Sequence, residues 1–179
     1  MTKPSSDWKV ANFMTLQPCT VDHGLSLEDA EDRMRANNIR HLLVTEESRL
    51  VGVLSTRDVS LGRTIKGKKN AEPSLADVMS RHVYTCAADT PLEDVAGEME
   101  KHRYGCAVVL DDDFVVGIFT TTDAMRALRA VIAGEHVTRK TYPTHLLDVS
   151  AEREKVERHV RLSDRIVNYG NDGTIGSVL

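Results

Sequence analysis

Apolar residues in the first third of the chain follow two different spacings. In SLEDAEDRMRANN, Leu27, Ala30 and Met34 recur at helical spacing and predict an amphipathic helix. Two short runs rich in β-branched residues follow, HLLV and LVGVLS, separated by acidic turn residues, and they predict two strands. With an extended segment before the first helix and a helix after Asp58, the pattern is strand–helix–strand–strand–helix.

The same pattern occurs a second time. Shifting the sequence by 65 residues, from Gly52 to Gly117, aligns Met14 with Met79 and continues without a gap to Asp123. The second copy contains the helix TPLEDVAGEMEKH, the strands CAVVL and FVVGIFT, and the helix DAMRALRAVIAG. Each copy is too small to bury its sheet alone. We therefore expect an α/β (α+β) fold in which two pseudo-symmetric repeats pack through their small sheets.

The repeat divides the chain into five parts. We expect an N-terminal segment over 1–9, a first repeat over 10–66, a linker over 67–74, a second repeat over 75–134 and a C-terminal tail over 135–179. The linker GKKNAEPS is polar and contains Gly and Pro. The tail holds one candidate amphipathic helix, SAEREKVERHVRLSDRIV. Its pattern leaves open whether the tail caps the module, docks on a partner subunit or contacts another protein.

Composition narrows the classes of partner. The net charge of −4 gives no broad basic surface for DNA, RNA or an anionic membrane. No apolar run approaches the roughly 20 residues of a membrane helix, and the first ten residues lack the apolar core of a signal peptide. Three cysteines without a CxxC motif are typical of thiols in a reducing compartment. We expect a cytoplasmic protein without a nucleic-acid or membrane partner.

Each copy ends on a short motif, GVLSTRD at 52–58 and GIFTTTD at 117–123. With the preceding helix and strands and the segment that begins at Val10, these motifs identify a family. The chain resembles a tandem pair of cystathionine-β-synthase-type (CBS) domains, also called a Bateman module, over about residues 10–132. The resemblance implies a homodimer that binds AMP, ADP, ATP, S-adenosylmethionine or an NAD-type ligand and has no catalysis of its own.

The two motifs also suit a nucleotide chemically. An ionised Asp accepts hydroxyl hydrogen bonds, so Asp58 and Asp123 are candidates for the ribose. Ser55 and Thr120 lie where a helix begins, and free N–H groups there favour a phosphate. Gly52, which has no Cβ, would allow the backbone to approach a ligand closely. The alternative is that each Asp only caps its helix, with the Ser or Thr as a turn residue.

The resemblance implies two pockets, each completed by the other repeat. Around Asp58 it places Val53, Ser55, Arg57, Met79, Tyr84, Lys101, His102, Arg103, Tyr104, Gly105 and Cys106. Around Asp123 it places Met14, Cys19, Asn37, Asn38, Ile39, Arg40, His41, Ile118, Thr120 and Thr122. Adenine would lie between Val53 and Tyr104, or between Ile118 and Ile39.

The two pockets differ in charge. Arg57, Lys101, His102 and Arg103 stand beside Asp58, whereas the Asp123 set contains only Arg40 and His41 as basic groups. Because Arg suits bidentate contact with phosphate, the Asp58 pocket is predicted to prefer a polyphosphate. The Asp123 pocket is predicted to take a less charged adenosine ligand or none. The alternative is that Lys101 and Arg103 lie on a solvated helix end.

These observations predict a regulatory module that senses an adenosine nucleotide and signals to an unidentified target protein. One alternative is a module that binds S-adenosylmethionine or NAD(H), and another is a structural dimerisation module with empty pockets. The sequence contains no HExxH, GxSxG or P-loop motif and no dense His/Cys/Asp cluster. We therefore expect no catalytic residue, no catalytic cofactor and no metal site.

Overall fold

A computed structural model of the chain describes residues 8–66 and 73–135, apart from the side chains at 65 and 66. The first half begins with a 3₁₀ turn, Val10–Asn12. It continues with β1 (Thr15–Leu16), β2 (Thr20–Asp22), α1 (Leu27–Ala36), β3 (His41–Glu46), β4 (Arg49–Ser55) and α2 (Thr56–Lys66). The second half contains α3 (Leu75–Val78), β5 (Thr85–Ala87), α4 (Leu92–His102), β6 (Cys106–Asp111), β7 (Phe114–Thr120) and α5 (Thr121–Ile132). The candidate helix of the tail lies outside the described residues.

The strands form two small sheets that repeat the same pairing. One sheet has the order β2-β3-β4 and the other the order β1-β7-β6-β5. In each, a parallel pair precedes an antiparallel pair, β2–β3 with β3–β4 and β5–β6 with β6–β7. The register shifts between Val44 and Thr45 in β3 and between Val109 and Leu110 in β6, which are equivalent positions. The predicted duplication is therefore confirmed down to an irregularity in one strand of each unit.

The segments that precede each unit are exchanged. Strand β1 pairs antiparallel with β7 of the second unit, so Thr15 lies opposite Ile118. The equivalent bridge joins Ser80 to Val53 of the first unit. Residues 10–14 accordingly contribute to the core beneath α4 and α5, and residues 75–79 to the core beneath α1 and α2. Each unit therefore depends on a segment that lies outside it in the sequence.

The two sheets face one another. Leu43 and Val53 from the first sheet share an apolar cluster with Val108 and Ile118 from the second. All four side chains are buried, and each residue of the first sheet has its repeat equivalent in the second. The expected packing of the two repeats through their sheets is confirmed. It brings the ends of β4 and β7, and hence both Asp motifs, close to the boundary between the units.

Candidate functional site

A cleft of about 500 Å³ opens at this boundary, where β4 passes into α2 and where α4 turns into β6. Its volume falls within the range of small-molecule sites. The lining residues come from both units: Arg40, His41, Val53, Ser55, Thr56, Arg57, Asp58, Ser80, His82, Val83, Tyr84, Arg103, Tyr104, Gly105, Cys106 and Thr121. Most of the residues expected around Asp58 are among them.

Only one of the two carboxylate oxygens of Asp58 is hydrogen-bonded to other described residues. Its Oδ2 accepts hydrogen bonds from the backbone N–H of Ser55 at 2.7 Å and from the Ser55 hydroxyl at 2.6 Å. These contacts cap α2, as one alternative predicted. The Oδ1 atom has no hydrogen-bond partner among the described residues, and Asp58 is partly exposed to the cleft. Capping therefore leaves one charged acceptor free.

Two arginines lining the cleft also have free head groups. The guanidinium groups of Arg57 and Arg103 have no hydrogen bond or ion pair within residues 8–66 and 73–135. Arg57 lies in the first turn of α2. Arg103 ends α4 in a left-handed conformation, with φ 58° and ψ 35°, and this conformation breaks the helix beside the cleft. Two free cations beside one free carboxylate oxygen form a site that suits an anion carrying hydroxyl groups.

His41 adds a neutral group to the same cleft. Burial and the neighbouring Arg40 cation lower the pKa of His41 below its ordinary value of 6.5, and Asp58 opposes that shift. The imidazole lies against Gly105, because a Cβ placed on this glycine would be 2.6 Å from its Nε2 atom. The strand β3 positions His41 opposite Ser55 on β4. This pairing explains why His41, expected near Asp123, lines the cleft of Asp58.

Aromatic and apolar side chains form the other part of the cleft. The rings of Tyr84 and Tyr104 are stacked, with centroids 5.7 Å apart and planes 17° apart. Burial, with the nearby Cys86, Glu98 and Asp94, raises the pKa of Tyr84, so its hydroxyl stays protonated at neutral pH. Burial raises the pKa of Cys106 to about 11, which keeps this thiol neutral and unreactive. These residues offer flat, uncharged surface for a base.

The second motif has the same local geometry but different surroundings. Thr120 caps α5, and Asp123 Oδ2 accepts from the Thr120 N–H at 2.8 Å and from its hydroxyl at 2.7 Å. The remaining oxygen, Asp123 Oδ1, lies 3.0 Å from Arg126 Nη1. Asp123 is only 2% exposed. The equivalent of Arg126 in the first unit is Leu61, so Asp58 has no cation at that position.

Arg40 contributes to this difference between the two sides. Its Nη2 donates to Thr122 Oγ1 at 3.0 Å, across the boundary between the units. The repeat equivalent of Arg40 is Gly105, which has no side chain. Arg40 also lines the Asp58 cleft, and on that side the space beside Gly105 is filled by His41. That the Asp123 side takes a less charged ligand or none stays a prediction.

Several predicted site residues lie away from the cleft. Lys101 and His102 point to Glu98, at 3.5 Å and 3.3 Å, and His102 stacks on Tyr104. These spacings along α4, i,i+3 and i,i+4, are those at which helical side chains meet. Of the four basic residues expected around Asp58, Arg57 and Arg103 line the cleft.

The glycines of the two motifs have a role that differs from the expected one. A Cβ on Gly52 would lie 2.6 Å from Met79 Sδ, and a Cβ on Gly117 would lie 2.6 Å from Met14 Sδ. Both methionines are buried. The close approach predicted for a ligand at Gly52 is therefore made by a methionine, and Met14 and Met79 are core residues that lock the exchanged segments.

The remaining residues expected around Asp123 differ in exposure: Asn37 and Asn38 are exposed, Cys19 and Ile39 are partly buried, and Ile118 is buried. Ile118 belongs to the cluster between the two sheets. Cys19 and Ile39 pack against the core of the first unit, and the Cys19 carbonyl accepts from Leu43 N at 3.2 Å. Ile39 and Ile118 thus pack in different apolar clusters, and their role as walls for adenine stays a prediction.

Five lining residues were missed by sequence reasoning: Thr56, Ser80, His82, Val83 and Thr121. His82 and Val83 stand immediately before Tyr84, so continuity along the chain was the available signal. Thr121 begins α5 and enters the Asp58 cleft because both helices start near the same boundary. No spacing within one repeat indicates that contact.

The described residues contain no group of three or more His, Cys, Asp or Glu side chains arranged to hold a metal ion. Among them, no helix has the length and apolar character needed to cross a membrane.

Comparison with known proteins agrees with this architecture. The CBS domain family matches residues 10–61 and 75–130. The chain therefore belongs to the CBS domain family and contains two copies of the domain. A homoserine O-acetyltransferase from Methanohalobium evestigatum is 31% identical over 121 residues, which are 66% of this chain and 24% of that protein. The chain thus spans about a quarter of the length of that relative.

Two solved structures resemble the fold and contain adenosine ligands. The CBS domain pair of protein MJ0100, in complex with 5′-methylthioadenosine and S-adenosyl-L-methionine, is 29% identical with a TM-score of 0.60. The similarity covers 67% of this chain and 98% of that one. CBSX2 in complex with AMP is 25% identical with a TM-score of 0.62, over 69% of this chain and 98% of that one. CBS pairs similar to this chain therefore bind adenosine compounds.

Proposed function

We propose that the chain is a regulatory module whose Asp58 cleft binds one adenosine nucleotide that carries phosphate, AMP, ADP or ATP. The observation that supports this proposal is that two cationic groups and one carboxylate oxygen without a hydrogen-bond partner in the described chain line one cleft. Asp58 Oδ1, Arg57 and Arg103 have no partner among the described residues, and all three line the same cavity. Asp58 would accept the ribose hydroxyls. The two arginines would hold the phosphates.

The local backbone supports the same orientation of the ligand. Ser55 precedes α2 and caps it, and Thr56 and Arg57 form its first turn. The positive end of this 11-residue helix faces the cleft. Tyr84, Tyr104 and Val53 supply the apolar surface on which the base would lie. The nucleotide would thus extend from the tyrosines to the first turn of α2.

Charge distinguishes this proposal from S-adenosylmethionine, which the structure of MJ0100 contains. That ligand carries no phosphate, and its sulfonium and ammonium groups outnumber its single carboxylate, so its net charge is positive. Placed near Arg57 and Arg103 it would face two like charges, and like charges oppose binding. An NAD-type ligand carries phosphate and remains the closer alternative.

A thermal-shift panel tests the assignment. AMP, ADP, ATP, S-adenosylmethionine and NADH are each added to the protein, and a ligand at 100 times its dissociation constant should add roughly 2.7 kcal/mol of stability. We expect the phosphate-bearing adenosine nucleotides to give the larger shifts. The double variant Arg57→Ala/Arg103→Ala should lose them, while Arg33→Ala on the exposed face of α1 should retain them. An absence of any shift would favour a structural module with empty pockets.

The proposal includes a homodimer and a cytoplasmic location. An unidentified target protein would bind differently to the ligand-bound and ligand-free forms. Met125 on α5 is 63% exposed and would suit a contact between two chains. The three free cysteines suit a reducing compartment. Sedimentation equilibrium of the parent chain and of Met125→Lys tests the dimer, which the lysine should weaken. A monomeric parent at micromolar concentration would refute it.

A further inference from the structure

A second, smaller cavity of about 290 Å³ lies where β4 begins, beside β5 and the turn between β6 and β7. We call it the Arg81 cavity. Its lining comes from both units: Arg49, Leu50, Val51, Arg81, Val83, Thr85, Leu110 and Asp113. Of these residues, Val83 alone also lines the Asp58 cleft. The Arg81 cavity is therefore distinct from the nucleotide site proposed above.

One segment of the chain separates the two cavities. Ser80, His82 and Tyr84 line the Asp58 cleft, whereas Arg81 and Thr85 line the Arg81 cavity. This alternation is typical of an extended chain, in which successive side chains point to opposite sides. The Arg81 cavity thus lies behind the segment that forms one wall of the nucleotide cleft.

Three charged side chains of the cavity have groups that no other described residue engages. The guanidinium group of Arg49 and the carboxylate of Asp113 make no hydrogen bond or ion pair within residues 8–66 and 73–135. Arg81 donates one long hydrogen bond, from Nη2 to the Ala76 carbonyl at 3.4 Å. Its other N–H groups are unpaired in the same part of the chain. Two cations and one anion are therefore available to a ligand.

The repeat shows that these charges belong to one side of the fold only. The residues equivalent to the three charged ones are uncharged: Phe114, Leu16 and Ser48. Leu16 pairs with Gly117 and so extends the contact between β1 and β7. The equivalent contact beside β4 is the single bridge between Ser80 and Val53. The chain therefore leaves the edge of β4 after Ser80, and the space beside that edge is the Arg81 cavity.

The floor of the cavity is apolar. Leu50, Val83 and Leu110 are partly buried against the cluster between the two sheets. A bare anion such as phosphate would leave this floor uncovered, and Asp113 would repel its charge. A ligand that combines a carboxylate, a cationic donor and an apolar body would contact every part of the lining. The volume lies at the lower limit of small-molecule sites, so the ligand is small.

We propose that the Arg81 cavity binds a free α-amino acid with an apolar side chain. Its carboxylate accepts from Arg81 and Arg49, because a guanidinium group presents its N–H donors in a fork that matches a carboxylate. Its ammonium group donates to Asp113. Its side chain lies on Leu50 and Val83, which removes apolar surface from water on both partners. The amino acid would be a second ligand, bound independently of the nucleotide.

Isothermal titration calorimetry with L-leucine on the full chain tests the proposal. We expect L-leucine to bind the parent. Leucinamide lacks the carboxylate and 4-methylpentanoate lacks the ammonium group, so each should bind at least tenfold more weakly, as the loss of a hydrogen bond to a charged group requires. This comparison of three ligands uses the parent chain alone.

Variants locate the binding site. Arg81→Leu/Asp113→Ser introduces the residues that the repeat has at the equivalent positions and leaves the net charge unchanged. It should bind L-leucine at least tenfold more weakly than the parent. The matched control, Arg33→Leu/Asp89→Ser, makes the same replacements at exposed positions outside the cavity and should bind like the parent. Arg57→Ala/Arg103→Ala should also bind L-leucine like the parent, because these arginines line the other cleft.

Four results would overturn the proposal. The first is an absence of L-leucine binding at millimolar concentration. Equal affinity in the parent and in Arg81→Leu/Asp113→Ser would show that these side chains hold no amino acid. Lost binding in Arg57→Ala/Arg103→Ala would assign the amino acid to the Asp58 cleft. Inorganic phosphate that displaces L-leucine with equal affinity would reduce the cavity to an anion site. Urea denaturation of each variant verifies that the two units remain folded.

Discussion

Replacing each motif aspartate with asparagine separates binding from folding. In Asp58→Asn the amide oxygen can take over the bonds from Ser55, and the new NH₂ group faces the cleft. In Asp123→Asn the NH₂ group faces the Arg126 guanidinium at a position that is 2% exposed in the parent. Two donors then face one another without an acceptor. The first change should therefore affect the ligand and the second the fold.

The structure sets the expected magnitudes. A hydrogen bond to a charged group contributes roughly 1.5–3 kcal/mol, so Asp58→Asn should weaken nucleotide binding about 10- to 150-fold. Asp123→Asn loses a similar interaction, reduced because Arg126 is 48% exposed and can be rehydrated. We expect it to lower the free energy of unfolding by about 1–3 kcal/mol, a fall in Tm of roughly 3–15 °C. Asp58→Asn should lower stability by less than about 1 kcal/mol, because its cap is retained.

Two assays measure the contrast. Urea denaturation without ligand gives the stability of the parent and both variants, and calorimetric titration with ATP gives their affinities. We expect Asp58→Asn to lose affinity and Asp123→Asn to lose stability. If both variants lose the same stability and bind ATP like the parent, Asp58 is a capping residue only and the reasoning fails.

Three further predictions follow from particular contacts. Gly52→Ala should destabilise the fold by about 1–3 kcal/mol, since its Cβ would lie 2.6 Å from Met79 Sδ. A Cβ on Gly97 would meet no atom within 4 Å. The control Gly97→Ala should therefore stabilise the fold by about 0.5–1 kcal/mol, as measured by urea denaturation. Because the pKa of His41 is lowered in the folded protein, the unfolded chain binds more protons just below pH 6.5. Stability should therefore fall between pH 7 and pH 5, and fall less in His41→Gln; parallel curves would contradict this. Burial raises the pKa of Cys106 from 9.0 to about 11. Iodoacetamide should therefore alkylate Cys106 at pH 8 about a hundredfold more slowly in the folded than in the unfolded chain. Mass spectrometry measures both rates, and equal rates would contradict the burial.

The sequence predicted the fold well because its strongest signals are local. Helical spacing in α1 and α4, β-branched runs in the strands and the shift from Gly52 to Gly117 all lie within short stretches. The exchange of the leading segments could not be read in this way. It depends on Met14 and Met79 fitting against glycines of another strand, which is a tertiary contact.

The candidate site was predictable in part for the same reason. Arg57 and Asp58 follow one another along the motif, so their joint presence in the cleft needed little tertiary information. His41 reached that cleft through the pairing of β3 with β4, which single-sequence reasoning did not use. Lys101 and His102 stand three and four residues after Glu98, and this spacing could have indicated that they pair along the helix.

The asymmetry of the two motifs was visible in the sequence but not interpretable there. Leu61 and Arg126 occupy equivalent positions three residues after the motif aspartates. Only the capping geometry shows that one oxygen of each carboxylate is already used, and that Arg126 takes the other oxygen of Asp123. The difference between a free and a paired aspartate therefore appears only when both contacts are known.

The central claim is that the Asp58 cleft binds one phosphate-bearing adenosine nucleotide per chain. Isothermal titration calorimetry with ATP, on the parent and on Arg57→Ala/Arg103→Ala, tests it most directly. We expect one ATP bound per chain of the parent and an affinity lower by at least tenfold in the double variant. Two molecules bound per chain, or equal affinity in the parent and the variant, would contradict it.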